Sequence, residues 1–204
     1  MSRNLPNQIT IARLITSVVL FVLLAQYDAS ADSPRRWLLH ISFWVFIVAA
    51  LSDLVDGYVA RKYKLETALG RILDPLVDKI LLCGAFVFFA GARFVVDGQN
   101  VTGVAAWMVV LIFGRELLVT GLRGVSESKG TPFGANVMGK LKMVCQSIAV
   151  GWILATLAEP NLFSHRYWAV GRVVFVYLAV ALTAASIFVY LHRARGVLRD
   201  PSGA

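Results

Sequence analysis

Trp37-Leu38-Leu39-His40-Ile41-Ser42-Phe43-Trp44-Val45-Phe46-Ile47-Val48-Ala49-Ala50-Leu51 runs without an Asp, Glu, Lys or Arg, then gives way to Ser52-Asp53-Leu54-Val55-Asp56-Gly57. An α-helix needs about 20 apolar residues to cross the hydrocarbon of a bilayer. The apolar part here is shorter, so a helix starting at Trp37 is expected to cross, continue past the hydrocarbon and carry its aspartates into the interface. Working outward, five more hydrophobic segments flank it. Helices are expected near 10–26, 37–61, 72–92, 103–122, 136–157 and 170–192. The composition agrees: of 204 residues 58% are hydrophobic and 16% charged, and the mean hydropathy is +0.70. A soluble domain of this length does not need that much apolar sequence. The expected fold is an all-α integral membrane protein with six transmembrane helices, and residues 1–204 read as one membrane domain.

Charge gives the segments a direction. Of 20 Lys and Arg, 14 fall on the side that holds both termini, the 61–71 loop and the 114–142 region; five, Arg35, Arg36, Arg93, Arg166 and Arg172, fall on the other. Cationic loops stay in the cytoplasm, so both termini are expected there, in a cytoplasmic (inner) cell membrane. The net charge is +8. It lies between hydrophobic segments, so anionic lipid headgroups and phosphorylated substrates are the expected partners, not nucleic acid. Gly124 to Asn136 reads as a mobile cytoplasmic loop. Arg3, the apolar run Leu14 to Ala25 and Ala29-Ser30-Ala31 have the outline of a cleavable signal. Arg13 interrupts that run and further hydrophobic segments follow, so a retained membrane helix is the better reading. Cys83 and Cys145 lie in apolar runs and fit no metal spacing.

Four of the 12 acidic residues, Asp53, Asp56, Asp74 and Asp78, fall within 26 residues at two adjacent helix ends. Spacings of i, i+3 and i, i+4 put each pair on one face of its helix. A connecting loop of about ten residues would make these helices antiparallel neighbours. Four carboxylates sharing one space at a membrane boundary repel unless cations sit among them. Oxygen donors without nearby Cys or His favour Mg²⁺ or Mn²⁺ over zinc, and two such ions suit displacement at phosphorus. A solvated helix end neutralised by Arg61, Arg71 and Lys79 is the plainer alternative, and it explains one pair better than two. Gly57, Ala60 and Gly70 leave room beside the carboxylates. If Asp74 caps the third helix, Pro75 takes its first position, where a missing N–H does no harm.

Asp53-x-x-Asp56-Gly57-x-x-Ala60-Arg61, eight residues, then Gly70-x-x-x-Asp74-x-x-x-Asp78 resembles the signature of the CDP-alcohol phosphatidyltransferases at each fixed position. The opening Asn4-Leu5-Pro6-Asn7-Gln8-Ile9-Thr10-Ile11-Ala12-Arg13 is similar to that family's N-terminal segment. Arg115-Glu116-Leu117 through Arg123, then Gly139-Lys140-Leu141-Lys142 and Gln146, resembles the branch that accepts glycerol 3-phosphate. The resemblance implies six transmembrane helices, usually in a homodimer, with the active site open to the cytoplasm. It implies that Asp53, Asp56 and Asp74 ligate two divalent ions. Asp78 would share the second ion and act as general base. Gly57, Ala60, Arg61, Thr67 and Gly70 would hold the cytidine and pyrophosphate of CDP-diacylglycerol.

Arg123 and Lys140, then Arg115 and Lys142, are candidates for a phosphate on the acceptor; the alternative is that they anchor helix ends at the cytoplasmic surface. The expected acceptor is sn-glycerol 3-phosphate, because a dianion suits that basic set. Inositol phosphate, serine and phosphatidylglycerol are its competitors. A divalent cation transporter is the rival of another class. Against it stands the gathering of the aspartates at one edge, with no acidic residue expected midway through helices four to six. His40, His165 and His192 lie near membrane edges and are assigned no role.

Overall fold

A computed structural model describes residues 5–63, 68–128 and 137–199; within its helices the side chains at 5–10, 53–63, 68–76, 78, 125, 127–128, 137 and 193–199 lie outside the description. Each hydrophobic segment forms a helix, which satisfies its backbone without help from water. These are α1 (Leu5–Gln26), α2 (Arg36–Tyr63), α3 (Ala68–Phe89), α4 (Ala106–Ser128), α5 (Val137–Ala158) and α6 (Arg166–Arg199). Helix α1 lies against α2 and α3, α2 against α5, α5 against α6 and α6 against α4, while α4 and α5 also touch α3. The core collects Leu20 and Leu24, Leu39 and Phe46, Phe86 and Phe89, Met108, Ile153 and Val176 from the six helices in turn.

The outward faces are apolar as well. Ile11, Leu14, Ile15, Val18 and Val22 of α1 are exposed, as are Val173, Val174, Tyr177 and Leu178 of α6. A helix apolar all round belongs in a lipid or protein interior. Met138–Ala158 and Arg166–His192 are long and apolar enough to cross a bilayer, and Ile11–Gln26, Arg36–Ser52 and Lys79–Phe89 are shorter apolar helices. The chain is an all-α membrane protein. Trp37, Trp107 and Tyr167 are exposed, and each is the second residue of its helix, α2, α4 and α6.

Several expectations need correcting. Helix α3 starts at Ala68, not near 72, so only residues 64–67 separate it from α2. Asp74 therefore lies inside α3 and not at its N-terminal cap position. Pro75 stands inside α3, where it cannot donate to the carbonyl of Arg71 one turn back. The expected loop 124–136 is helical as far as Ser128; the rest of it, with Lys129, lies outside the described residues. Helix α6 begins at Arg166, so Arg172 lies within it. Arg13, Arg115 and Lys142 are likewise buried within helices and are not loop charges.

The connection after α3 is more ordered than its length suggests. A 3-10 turn at Ala92–Phe94 leads into a hairpin of β1 (Val95–Val96) and β2 (Gln99–Asn100). Val95 pairs with Asn100 and Val96 with Gln99. The turn residues Asp97 and Gly98 have φ of 50° and 76°, the sign a primed hairpin turn demands. Asn100 Nδ2 and Thr102 Oγ1 donate to the Phe89 carbonyl at 2.8 and 2.9 Å, so a free acceptor at the end of α3 is satisfied. Ala29 N donates to Arg93 O at 2.8 Å, and Asp28 lies 3.7 Å from Arg93. These contacts tie the α1–α2 and α3–α4 connections together. The Ser30 hydroxyl, donating to Asp28 at 2.7 Å, holds that carboxyl below its ordinary range.

Candidate active site

Asp53 and Asp56 fall in continuous helix near the end of α2, and Asp74 and Asp78 in continuous helix in the first half of α3. Each pair thus shares a face, as its spacing requires. Their side chains, with those of Gly57, Ala60, Arg61 and Gly70, lie outside the description, and Thr67 lies outside the described residues altogether. Carboxylates are hard oxygen ligands of the kind that suits Mg²⁺ or Mn²⁺. Among the described residues no group of three or more His, Cys, Asp or Glu gathers.

One residue past Asp78, Lys79 reaches across to α4 and donates to Thr120 Oγ1. Thr120 in turn donates to the Glu116 carbonyl at 2.7 Å. Lys79 lies within electrostatic reach of Glu116, Arg123 and Arg115. The turn of α3 that carries Asp78 therefore sits beside the basic part of α4.

Behind that contact is a buried ionic cluster. Arg115 is 5% exposed, Glu116 8% and Lys142 1%. Glu116 Oε1 accepts from Arg115 Nη1 at 3.0 Å and also from Lys142 of α5. Arg115 Nε donates to Ser186 Oγ of α6 at 2.8 Å, and its guanidinium lies 5.0 Å over the Tyr190 ring. Ser186 donates to the Thr183 carbonyl, and Gln146 Nε2 donates to Thr183 Oγ1 at 3.2 Å, extending the polar seam between α5 and α6. A Cβ on Gly139 would stand 3.1 Å from Tyr190 Oη and 3.7 Å from Arg115 Nη2. Glycine there lets α5 pack closely against Tyr190 and Arg115. Arg115 Nη2 has no hydrogen-bond partner among the described residues, and burial of an unmet donor is costly.

The four expected acceptor-binding cations thus divide. Arg115 and Lys142 are buried and share Glu116. Arg123 is half-buried, with Nε unpaired among the described residues, and Lys140 is exposed. Glu116 corrects the expectation of no acidic residue midway through the later helices: it stands near the middle of α4, bound to two cations. Lys79, Thr120 and Ser186 are also absent from the pattern-based set. A signal for Glu116 exists, since it is the one acidic residue in the apolar stretch 103–126, and an ionisable group in such a stretch implies a partner.

A sequence profile of the CDP-alcohol phosphatidyltransferases matches residues 3–190. A protein of Bacillus subtilis named CDP-diacylglycerol–glycerol-3-phosphate 3-phosphatidyltransferase is 37% identical over 156 residues, covering 74% of this chain and 76% of its own. Proteins of the same name are 29% identical in Haemophilus influenzae, covering 98% of both chains, and 30% identical in Salmonella paratyphi A, covering 98% of this chain and 100% of theirs.

Proposed function

The chain belongs to the CDP-alcohol phosphatidyltransferase family, and we propose that it transfers the phosphatidyl group of CDP-diacylglycerol to sn-glycerol 3-phosphate, giving phosphatidylglycerophosphate and CMP. The reaction serves phospholipid biosynthesis. Enzymes of this family use divalent metal ions. Asp53, Asp56, Asp74 and Asp78 would hold two of them, Mg²⁺ or Mn²⁺, which supply charge neutralisation at the pyrophosphate.

The protein's own groups do the rest. Arg61 binds the donor phosphates as a fork, with Gly57, Ala60, Thr67 and Gly70 leaving space for the cytidine and pyrophosphate. The acceptor hydroxyl loses its proton to Asp78 and attacks phosphorus. A phosphorus–oxygen bond forms to glycerol 3-phosphate as the bond to CMP breaks. Arg123 and Lys140 face the acceptor phosphate from the cytoplasm, and Arg115 and Lys142 support it from behind.

One observation carries this assignment. The Lys79–Thr120 contact sets the turn of α3 that bears Asp78 against the α4 turn that bears Arg115 and Glu116. That adjacency supports a reading in which Asp78 as general base and the α4 cations serve one substrate.

The proposal extends to six transmembrane helices in one membrane domain, both termini and the active site on the cytoplasmic side of the inner membrane, and a homodimer. The charge asymmetry survives removal of the buried Arg13, Arg115 and Lys142 and the half-buried Arg172 from the count. The exposed Trp37, Trp107 and Tyr167 suit an aromatic belt at the opposite interface. Glu116 does not favour a transport path, because Arg115 and Lys142 neutralise it.

Purified enzyme with Mg²⁺ and CDP-diacylglycerol is expected to release CMP on addition of glycerol 3-phosphate, and Asp56→Asn is expected to abolish release while the protein stays folded. Release with inositol phosphate, serine or phosphatidylglycerol but not glycerol 3-phosphate overturns the acceptor. More than a few per cent of activity in Asp56→Asn at saturating Mg²⁺ overturns the metal site.

A further inference from the structure

We propose that the end of the bundle away from the aspartates holds an anionic phospholipid, with an acyl chain in an apolar groove between α2 and α5 and the phosphodiester on Arg172. The groove has a volume of about 370 Å³ and is walled by Phe43, Phe46 and Ile47 of α2, Ile148 and Trp152 of α5, and Trp168 of α6. That volume is in the range of small-molecule sites. It follows α5 from Ser147 to Thr156, about 14 Å at the rise of an α-helix.

The polar side-chain atoms of Trp152 and Thr156 in the wall are already engaged. Trp152 Nε1 donates to the Trp168 carbonyl at 3.1 Å, and Thr156 Oγ1 donates to the Trp152 carbonyl at 2.7 Å. An occupant of the groove itself must therefore be apolar.

Arg172 names the rest of the occupant. Thr156, which lines the groove, accepts from Arg172 Nη1 at a long 3.4 Å. Arg172 Nε is buried without a hydrogen-bond partner among the described residues. Gly171 brings α6 up against the groove, since a Cβ there would stand 2.9 Å from Trp152. Glu159, three residues beyond Thr156, lies 3.2 Å from His40 instead. A guanidinium beside an apolar channel near a helix end is matched by a phosphodiester joined to a chain, and a charge-assisted bond from Arg to phosphate is among the stronger polar contacts. A free phosphate would leave the groove unfilled. None of the four aspartates takes part, so the site does not depend on the transferase assignment.

The test uses the full chain in detergent micelles, with phosphatidylglycerol or phosphatidylcholine of matched acyl chains, counting retained lipid by native mass spectrometry. Wild type is expected to keep phosphatidylglycerol about tenfold better than phosphatidylcholine, the effect of one good charged contact. Arg172→Gln should remove that preference, whereas Arg172→Lys keeps part of it. Ala155→Trp, which fills the groove and spares the charge, should lower the count of bound phosphatidylglycerol. Three outcomes each overturn the proposal: equal retention of both lipids by wild type, a preference that survives Arg172→Gln, or protection from heat by inorganic phosphate equal to that by phosphatidylglycerol. Should Arg172→Gln not fold, an unchanged lipid count in Ala155→Trp is decisive against it.

Discussion

Glu116 faces two buried cations with one carboxylate, and the arithmetic of charge leaves one positive charge over among the three. Removing the anion strands both partners. Breaking a buried ion pair from one side costs about 3–5 kcal/mol. Glu116→Gln is therefore expected to lower the thermal unfolding midpoint in micelles clearly, while Lys142→Met, which leaves Arg115 paired, should lower it less. Equal midpoints for wild type and Glu116→Gln would remove Glu116 from its central place. The aspartates can be picked out from the sequence because their spacing alone puts each pair on one helix face. The role of Glu116 cannot, because its second partner, Lys142, is 26 residues away and only the folded bundle brings them together. Arg115 and Lys142 look alike in sequence to Arg123 and Lys140; burial is what separates them.

Between elements, the closest fit lies where α1 crosses α3. The ring of Phe21 occupies the space that a Cβ on Gly84 would need, and it stacks on Phe88 at 5.5 Å. Gly84→Val should overpack this crossing and cost about 1–3 kcal/mol, seen as a lower unfolding midpoint. Phe21→Ala in the same chain should recover part of the loss, because residues in contact are not additive; strict additivity would show that the crossing does not bind the two helices. Helix existence is legible throughout, since six apolar runs admit few other structures. The start of α3 is not: Pro75 following Asp74 looks like a cap, yet the helix tolerates the proline inside it. The Asp97-Gly98 hairpin had its signal too, but strands of two residues are too short for alternation to reveal.

For the molecule as a whole, the arrangement of the six helices and the charge asymmetry give a sharp topology test. Cys83 and Cys145 are buried, so labelling of wild type should be low. Cysteines placed at Gly98 and Asn161 are expected to react with an impermeant reagent added outside intact cells, and cysteines at Lys64 and Lys129 are not. The reverse pattern would turn the protein over in its membrane. The number of apolar segments and the side that carries the cations can be read from the chain, whereas the order of packing cannot. Helix α1 has two partners, α2 and α3, and α5 stands between α2 and α6, choices made by side-chain fit rather than by sequence neighbourhood. The pairing of Glu116 with Lys142 also bears on biogenesis. A charged side chain costs up to about 2.5–3.5 kcal/mol at the bilayer centre on translocon scales, and less toward the ends. As the nascent chain leaves the ribosome, α5 arrives with Lys142 uncompensated unless α4 is already in place to receive it. In microsomes, a glycosylation tag after α5 should therefore report less complete insertion when Glu116 is replaced by Gln, and equal insertion with either residue would mean that the two helices meet only after both have left the translocon.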